Sequence, residues 1–344
     1  MTTSTVKCLV WDLDDTLWDG VLLEGDQPRP REDAMRTLRT LDHRGILHAV
    51  ASRGHYDTVL RHLTHHRLDD LFCAVQVGWG TKSAAIVRVA DELNIAAGAL
   101  AFVDNDTAEL AEVSGALPSV RCYPAEQVAA LPDLEEFRPP FVTAESRRRR
   151  SFYQTDHRRR TAEQDAGVPA PEFLASLDLE MTVRRAGPDD LARVHELTLR
   201  THQLNTTGRT YDLDELRELT ASPGHEVLVA ELADRFGEYG TIGLAVTELA
   251  GEDSILLLLL TSCRVMSRGA GGALLDHLVH TALAAGKRPV AHYTPTPVNR
   301  IMLITLRFAG YEVQEENEAT LVLAVDPAKP PMSRPTAVRV NRWS

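Results

Sequence analysis

Residues 8–20 read CLVWDLDDTLWDG, an apolar run followed at once by a cluster of aspartates. The run from Val6 to Trp11 predicts a buried strand, and Asp12 comes directly after it. Ligands of open α/β sheets collect at the carboxyl ends of strands, which is where this stretch places its acids. Asp12 and Asp14, two residues apart, suit a hard cation such as Mg²⁺ and a carboxylate that attacks a phosphoryl group. A polar turn after a strand is the alternative interpretation of so short a string.

The surrounding region predicts a doubly wound parallel sheet. Helical patterns at Arg31 to His43 and Lys82 to Leu93 alternate with apolar, β-rich runs. Strands that alternate with crossover helices are typical of parallel α/β sheets. The predicted strands after the first are Ile46 to Ser52, Phe72 to Val77, Leu100 to Val103 and Ser119 to Tyr123.

Further polar residues follow these later strands. Ser52 comes after ILHAVA, Lys82 lies in GWGTKSAA, and Asp104 lies in FVDND. Taken singly, Ser52 is equally well a helix cap, and Lys82 an ordinary surface lysine. Because they all follow strands, as Asp12 does, we predict that they form one site.

The order of these pieces resembles the haloacid dehalogenase (HAD) phosphatase superfamily. Its first motif, DxDxT, is matched by Asp12, Asp14 and Thr16. The resemblance implies that Asp12 accepts the phosphoryl group and that Asp14 is the general acid and base. It also implies an Mg²⁺ ion held by Asp12, Asp14 and Asp104.

The same resemblance implies that Ser52 binds phosphate and that Lys82 compensates its charge. Fewer than forty residues separate Asp14 from Ser52, which leaves room for a short flap around WDGVLLEGD and one helix. A separate cap domain would not fit. We therefore expect an open site that can admit a bulky substrate or a carrier protein.

The second half of the chain predicts an α+β domain. Three strand-like runs follow one another without a helix between them, which indicates an antiparallel meander, and a helix and a further strand come next. The predicted strands are Glu226 to Leu232, Thr241 to Glu248, Ser254 to Thr261, Pro289 to Tyr293 and Thr320 to Ala324, and the predicted helices are Pro188 to Arg200, Leu213 to Leu219, Gly271 to Ala285 and Val298 to Phe308.

A glycine-rich turn follows the most apolar of these strands, in SILLLLLTSCRVMSRGAGGALLDHLV (residues 254–279). Arg268, Gly271 and Ala273 fit R-x-x-G-x-A at a helix start, where free backbone N–H groups bind the phosphate of phosphopantetheine or a pyrophosphate. Cys263 lies between the strand and this turn. Its thiol either carries an acyl group as a thioester or packs as a buried structural cysteine.

The order strand, turn, helix, strand and TPVN resembles the GCN5-related N-acetyltransferase (GNAT) fold. With the HAD motifs, the arginine-rich connection and RTHQLNTTGRTY, the chain to about residue 325 resembles the FkbH-like family, in which the two folds are fused. This resemblance implies transfer of a D-glyceryl unit from 1,3-bisphosphoglycerate to the phosphopantetheine thiol of an acyl carrier protein. Phosphate is released, and the product serves as a polyketide extender or starter unit.

Five more residues are candidates for the acyl site. They come from the RTHQLN and TPTPVN stretches and are polar side chains close to predicted helix ends. For each, a solvent-facing helix-end residue is the alternative. The candidates are His202, Gln203, Asn205, Thr296 and Asn299.

A break in the pattern predicts the domain organisation. The motifs RPP, SRRRR, HRRR and GVPAP interrupt the strand and helix periodicity between residues 138 and 171. We predict a HAD-like domain over residues 1–137, a connection over 138–170, a GNAT-like domain over 171–325 and a flexible tail over 326–344. The arginines at 147–150 and 158–160 indicate a solvated helix face or, alternatively, a surface for an acidic protein.

Composition limits the class of protein. The 344 residues favour two domains, and 44% apolar with 25% charged residues is ordinary for a globular chain. The longest apolar run, Ile255 to Leu260, is too short to cross a bilayer. A net charge of -12 argues against a general nucleic-acid binder.

The cysteines and the first residues of the sequence indicate the cellular compartment. The four cysteines are scattered, without a CxxC pair, so neither a disulfide framework nor a zinc site is predicted. Residues 1–15 run into the first strand without the pattern of a signal peptide, and we expect a cytoplasmic protein.

Three other functions compete with carrier loading. One is a small-molecule phosphatase whose second domain only docks a partner or binds acyl-CoA. Another is an acyl-CoA transferase that carries an inactive HAD scaffold, which the intact set of acids disfavours. The third is a binding module that uses the arginine cluster, against which the net charge and the aspartates both weigh.

Overall fold

The computed structural model describes residues 5–317, 319–332 and 336–342. The chain divides into two compact units, Met1–His157 and Arg158–Ser344. The division falls within the segment 138–170 that the sequence predicts as a connection. No described helix combines the length and the apolar composition needed to cross a membrane.

Unit 1 is built on a five-stranded parallel sheet in the order β5-β4-β1-β6-β7. A small antiparallel pair, β2 and β3, forms the predicted flap. The strands are β1 (Cys8–Trp11), β2 (Trp18–Asp19), β3 (Arg29–Pro30), β4 (Leu47–Ser52), β5 (Ala74–Val77), β6 (Leu100–Asp104) and β7 (Arg121–Pro124). The helices are α1 (Glu32–His43), α2 (Tyr56–His65), α3 (Lys82–Leu93), α4 (Thr107–Ala116), α5 (Ala144–Arg147) and α6 (Arg149–Ala166), the last of which continues into unit 2.

Strand β1 lies at the centre of this sheet and is buried on both faces. Leu9 and Trp11 belong to one apolar cluster, and Cys8 and Val10 to another, because successive side chains of a strand point to opposite faces. Trp11 pairs with Val50 of β4 and with Val103 of β6. The residues just after these pairs therefore lie level at the carboxyl edge of the sheet.

Unit 2 contains an eight-stranded mixed sheet in the order β13-β14-β12-β11-β10-β9-β8-β15. Strands β11 and β12 are parallel, as are β8 and β15, and the other neighbours are antiparallel. The strands are β8 (Leu179–Arg185), β9 (His225–Asp234), β10 (Gly237–Ala250), β11 (Asp253–Thr261), β12 (Arg288–Tyr293), β13 (Glu312–Glu316), β14 (Leu321–Ala324) and β15 (Val338–Arg342). The helices are α7 (Ala170–Ser176), α8 (Leu191–Arg200), α9 (Leu213–Ala221), α10 (Ala270–Ala284) and α11 (Arg300–Phe308).

The predicted fold class is confirmed: a doubly wound parallel sheet is followed by an α+β unit with an antiparallel meander, β9 to β11. In unit 2, three strands were not predicted. β8 and β15 pair with each other at one edge, and β13 is a glutamate-rich edge strand whose polar sequence, EVQEE, hides it.

The predicted flexible tail is partly wrong. Residues 338–342 form β15, which runs parallel to β8, and Val338 is buried beneath it. Arg339 pairs with Glu180 at 2.6 Å on the same edge. The alternation in VRVNR is the signal for this strand, but its pairing partner lies about 160 residues away in sequence.

The prediction of a solvated arginine face is corrected for Arg149, Arg150 and Arg159, whereas Arg147, Arg148 and Arg158 are exposed. In unit 1, Arg149 donates to the Gly45 carbonyl at 2.7 Å, and Arg150 pairs with Asp42 at 2.9 Å. In unit 2, the Arg159 side chain is fully buried and pairs with Asp234 at 2.7 Å. These arginines stabilise the fold because each finds an acid or a carbonyl of its own unit.

Candidate functional site

An ion-pair cluster lies at the carboxyl ends of β4, β1 and β6. Lys82, the first residue of α3, reaches all three strands. Its Nζ contacts Asp12 Oδ1 and lies 3.0 Å from Asp104 Oδ2, and it donates a hydrogen bond of 2.9 Å to the Ala51 carbonyl. Asp12, Lys82 and Asp104 are 6%, 4% and 1% exposed. Burying two carboxylates and one ammonium lowers the stability of the fold, because the charges lose their hydration. Such a buried charged set is typical of a functional site.

Burial and the neighbouring charges shift the acidity of this cluster. Desolvation raises the pKa of Asp12 to about 7; Lys82 opposes the rise, and the Asp104 carboxylate adds to it. For Lys82, burial lowers the pKa, but the two carboxylates outweigh burial and the pKa is raised. The cluster therefore contains one carboxylate more than its lysine can neutralise.

One oxygen of this cluster is unsatisfied. Asp104 Oδ2 is buried and has no hydrogen-bond donor, although Lys82 Nζ lies at ion-pair distance, and Asp104 Oδ1 accepts from the Asp106 amide at 2.8 Å. A buried carboxylate oxygen that has an ion-pair partner but no hydrogen bond, beside a second carboxylate, fits Mg²⁺, which prefers oxygen ligands. Mg²⁺ commonly uses one or two carboxylates with water and substrate phosphate.

Asp14 does not lie with these two acids, so the predicted three-carboxylate metal site stays a prediction. Its Oδ1 accepts hydrogen bonds from Trp18 Nε1 at 2.7 Å and from the Leu22 amide at 3.1 Å. Across the described ranges, no three His, Cys, Asp or Glu side chains converge as a metal site. The flap therefore holds Asp14, while Asp12 and Asp104 lie together.

The remaining predicted residues of unit 1 take different positions. Ser52 ends β4 at the same carboxyl edge and is 6% exposed. Thr16 is fully buried, and its hydroxyl donates to Asn105 Oδ1 at 3.3 Å and accepts from the Asn105 amide at 3.0 Å. Thr16 thus fixes the loop after β1 against the loop after β6 rather than facing a substrate, which corrects its predicted binding role.

A cavity of about 570 Å³ lies in unit 2 beside the start of α10. Its walls are mainly apolar. The glycines at the start of α10 form one side of the cavity. Thr261, at the end of β11, and Leu204, which is hydrogen-bonded to it, line a second side. Helix α11 contributes Ile301, Thr305 and Phe308. Mainly apolar walls with a few polar groups are the usual character of an organic ligand site.

The glycine-rich turn has the geometry that the sequence predicts for a close approach. Gly269 caps α10 with φ +73°, a left-handed conformation. Gly271 lines the cavity, and a Cβ placed there would lie 3.3 Å from Thr261 Oγ1. The first N–H groups of α10 have no partner within the helix and are available to an anion. Arg268, in contrast, is 6% exposed and pairs with Glu163 at 3.3 Å, and its substrate-binding role stays a prediction.

The Leu204–Thr206 segment occupies the gap where β11 and β12 diverge. The ladder between these strands ends at Leu256 and Ala291, and beyond it the segment bonds to both strands. Thr206 donates to the Leu259 carbonyl, Thr261 donates to that of Leu204, and Thr294 of the β12 end donates to that of Thr206, each at 3.0 Å. The chain thereby satisfies strand groups that would otherwise be open.

Asn299 fastens this segment and is fully buried. Its Nδ2 donates to the Asn205 and Thr294 carbonyls at 3.0 Å, and its Oδ1 accepts from the Thr296 amide at 2.8 Å. Asn205 is also fully buried, and its Oδ1 accepts from the Gly208 amide at 2.8 Å. Both asparagines were predicted to contact substrate; instead their amides are used up in holding loops.

His202 and Gln203 are exposed, Thr296 is half-buried, and Gly208 lies against Thr296. Cys263 opens the 3₁₀ turn Cys263–Arg268, is half-buried against the core of unit 2, and is not among the residues that line the cavity.

Several contributors were not predicted from the sequence. The Ala51 carbonyl positions Lys82, and the Trp18 indole positions Asp14. In unit 2, the amphipathic helix α11 forms one wall of the cavity with apolar residues that are partly exposed. Asn105 contacts Thr16, and the sequence contains a signal for this contact, because an Asn directly after a strand-end Asp in FVDND commonly forms a loop hydrogen bond.

Solved structures resemble parts of this chain. The N-terminal part of a Bacteroides fragilis protein, which contains a phosphatase domain and was solved with Mg, is 22% identical and covers 39% of this chain, with a TM-score of 0.35. This chain spans only 40% of the length of that one.

Two more solved structures are similar to part of this chain. The GNAT domain of S. lividans PAT is 18% identical over 42% of this chain and 89% of its own, with a TM-score of 0.34. Ard1 from Thermoplasma volcanium is 14% identical over 42% and 97%, with a TM-score of 0.34. No protein-family model and no curated protein matches the sequence, so membership of the FkbH-like family stays a prediction.

Proposed function

We propose that this protein loads a D-glyceryl unit from 1,3-bisphosphoglycerate onto the phosphopantetheine thiol of an acyl carrier protein and releases phosphate. The observation that carries the proposal is the buried Asp12, Lys82 and Asp104 cluster at the carboxyl edge of the unit 1 sheet. It has the charge and the position for phosphoryl transfer, because a carboxylate nucleophile and a compensating cation meet there.

At the phosphomonoester, an Asp12 carboxylate oxygen bonds to phosphorus as the ester oxygen leaves with a proton donated by Asp14. A water molecule then attacks the resulting aspartyl phosphate, gives its proton back to Asp14, and frees inorganic phosphate and the Asp12 carboxylate. Asp14 suits this exchange because Trp18 and Leu22 fix one of its oxygens.

Asp12 and Asp104 would hold Mg²⁺, and the unsatisfied Asp104 oxygen is the group that fits it. When bound, the ion supplies positive charge against the phosphoryl oxygens. Lys82 orients both carboxylates and keeps the substrate phosphate from facing an uncompensated negative cluster.

At the acyl phosphate, a thiolate sulfur bonds to the carbonyl carbon, and the second inorganic phosphate leaves. The proposed relay uses Cys263 first and passes the glyceryl group to the carrier thiol by thioester exchange. The unit 2 cavity accommodates the pantetheine arm, with its phosphate at the N–H groups of the α10 start. In sum, the bisphosphate, the carrier thiol and one water give the glyceryl thioester and two phosphates.

Intact-mass measurement of a holo-carrier protein incubated with the enzyme, Mg²⁺ and 1,3-bisphosphoglycerate tests the proposal. We expect a mass gain equal to one glyceryl group, together with phosphate release. If phosphate is released while the mass of the carrier stays unchanged, the protein is instead a phosphatase whose second unit has another role.

A further inference from the structure

Helix α11 presents an unusual outer face. Met302 and Leu306 are buried against the sheet, but Ile304 and Phe308, on the other side of the helix, are 45% and 60% exposed. Ile301, also on the outer side, is 37% exposed. Residues spaced three, four and seven apart share one side of a helix, so Ile301, Ile304 and Phe308 form a continuous apolar stripe.

Two arginines border this stripe. Arg300 and Arg307 are seven residues apart and flank Ile304 on the side away from the cavity-lining residues. Both are exposed, and the ion pairs of the described residues involve neither of them. The helix RIMLITLRF has no acid of its own, and the next acids in the sequence, Glu312, Glu315 and Glu316, lie on the edge strand β13.

The stripe is continuous with the mouth of the unit 2 cavity. Ile301, Thr305 and Phe308 line the cavity, and Ile304 continues the surface outward toward the arginines. Exposed apolar surface with a polar rim marks interaction sites. A ligand bound in this cavity that is attached to a macromolecule would bring its carrier against this face.

We infer that the outer face of α11, formed by Arg300, Ile301, Ile304, Arg307 and Phe308, is the docking surface for an acidic carrier domain whose arm enters the cavity. Charge complementarity identifies the occupant. The chain as a whole carries -12 and repels an acidic partner, so unpaired cations beside an apolar stripe give one place where such a partner is attracted. The inference rests on the proposed function for the identity of the arm, but the docking itself is measurable without any transfer.

The test measures binding of a fluorescently labelled apo-acyl carrier protein of fatty-acid synthesis, which lacks the arm, to the full-length chain by anisotropy. We expect the double variant Arg300→Glu/Arg307→Glu to weaken binding at least tenfold and to lose the salt dependence of the wild type. The matched control is Arg36→Glu/Arg217→Glu, which makes the same change in net charge at arginines that are 70% and 60% exposed. Equal weakening by the two double variants would overturn the inference.

A second measurement separates docking from chemistry. Loading of free pantetheine should be unchanged in Arg300→Glu/Arg307→Glu, whereas the KM for the holo-carrier should rise at least tenfold. If the wild type loads neither thiol, the proposed function fails, while the anisotropy result still decides the docking. If the arginine variant instead changes self-association in sedimentation and leaves apo-carrier binding intact, the face joins copies of this chain and the inference is wrong.

Discussion

Asp12 differs from an ordinary strand-end aspartate in its surroundings. It is almost fully buried and touches the ammonium of Lys82, and Asp104 lies on the far side of the same lysine. These contacts keep one of its oxygens close to a cation while the strand end leaves it at the sheet edge. A carboxylate in this environment is suited to attack phosphorus.

We expect Asp12→Asn to lower phosphate release by at least about 10³-fold, because an amide is a poor nucleophile and a poor partner for a cation. The fold should survive, since the amide keeps the shape of the side chain. Phosphate release from a phosphomonoester, with circular dichroism as the folding control, measures the effect. A folded variant with wild-type turnover would exclude Asp12 as the nucleophile.

Cys263→Ala tests the acyl relay. If the thiol carries the glyceryl group, the variant should fail to load the carrier, and wild type without carrier should show a glyceryl adduct on the peptide that contains Cys263. Burial raises the pKa of Cys8, of Cys122 and, to about 12, of Cys73, so these thiols stay protonated near neutral pH and should remain unmodified.

The outcome against the relay is equally clear. Loading by Cys263→Ala at the wild-type rate would mean that the carrier thiol attacks the acyl phosphate directly. The packing of Cys263 against the core of unit 2 would then be its whole role.

His48 makes the stability of unit 1 depend on pH. The indole of Trp11 can only donate, so His48 Nδ1 accepts from it at 3.0 Å, and Nε2–H donates to the Leu38 carbonyl at 3.0 Å. The neutral ring is thus satisfied, and desolvation lowers the pKa of His48 from 6.5 to about 4. Between these two values the unfolded chain binds the additional proton.

We therefore expect the free energy of unfolding of unit 1 to fall by up to about 3 kcal/mol as the pH drops from about 6.5 to about 4, with full stability above that window. Urea unfolding followed by tryptophan fluorescence measures it. His48→Gln should lose most of this dependence, whereas the exposed His65→Gln should keep it. An unchanged slope in His48→Gln would contradict the assignment.

At the scale of elements, a buried ion pair joins α6 to the hairpin of β9 and β10 within unit 2. Arg159 and Asp234 have fully buried side chains, and the guanidinium stacks 3.6 Å from the ring centre of Tyr239. The Tyr239 hydroxyl donates to Asp234 at 2.9 Å, and the amides of Phe236 and Gly237 also donate to it. Both carboxylate oxygens of Asp234 are therefore hydrogen-bonded.

Removing one partner of this buried ion pair should destabilise unit 2. We expect Arg159→Leu to lower the free energy of unfolding of unit 2 by about 3–5 kcal/mol, because it leaves a buried carboxylate without its cation. Arg288→Ala, which breaks the exposed pair with Asp253, is the matched control and should cost much less. Thermal unfolding of the two variants makes the comparison, and equal losses would contradict the argument.

At the scale of the whole molecule, the two proposed chemistries belong to different units. The Asp12, Lys82 and Asp104 cluster lies entirely in unit 1, whereas Cys263 and the 570 Å³ cavity lie in unit 2. Each unit also has apolar core clusters of its own. The two activities should therefore respond separately to substitution.

We expect Cys263→Ala to release phosphate from a small phosphomonoester within about twofold of the wild-type rate, even where carrier loading is lost, because none of the residues proposed for phosphoryl transfer changes. Chelation of Mg²⁺ should stop that phosphate release in both proteins. Loss of phosphate release in a well-folded Cys263→Ala would contradict separate sites.

The sequence by itself determined the order of elements and the residues at strand ends. Apolar periodicity is a local property of the sequence, so β1, α3 and the antiparallel meander were predictable, and so was the placement of Asp12, Lys82 and Asp104 at one edge. Only the tertiary structure decided which groups meet. Asp14 accepts a hydrogen bond from Trp18, and Asn299 donates to the Leu204–Thr206 segment. Arg268 pairs with Glu163, and β15 pairs with β8, about 160 residues away in sequence. The reason is physical: a buried polar group binds the nearest complementary group in space, and that neighbour is set by the packing of distant segments.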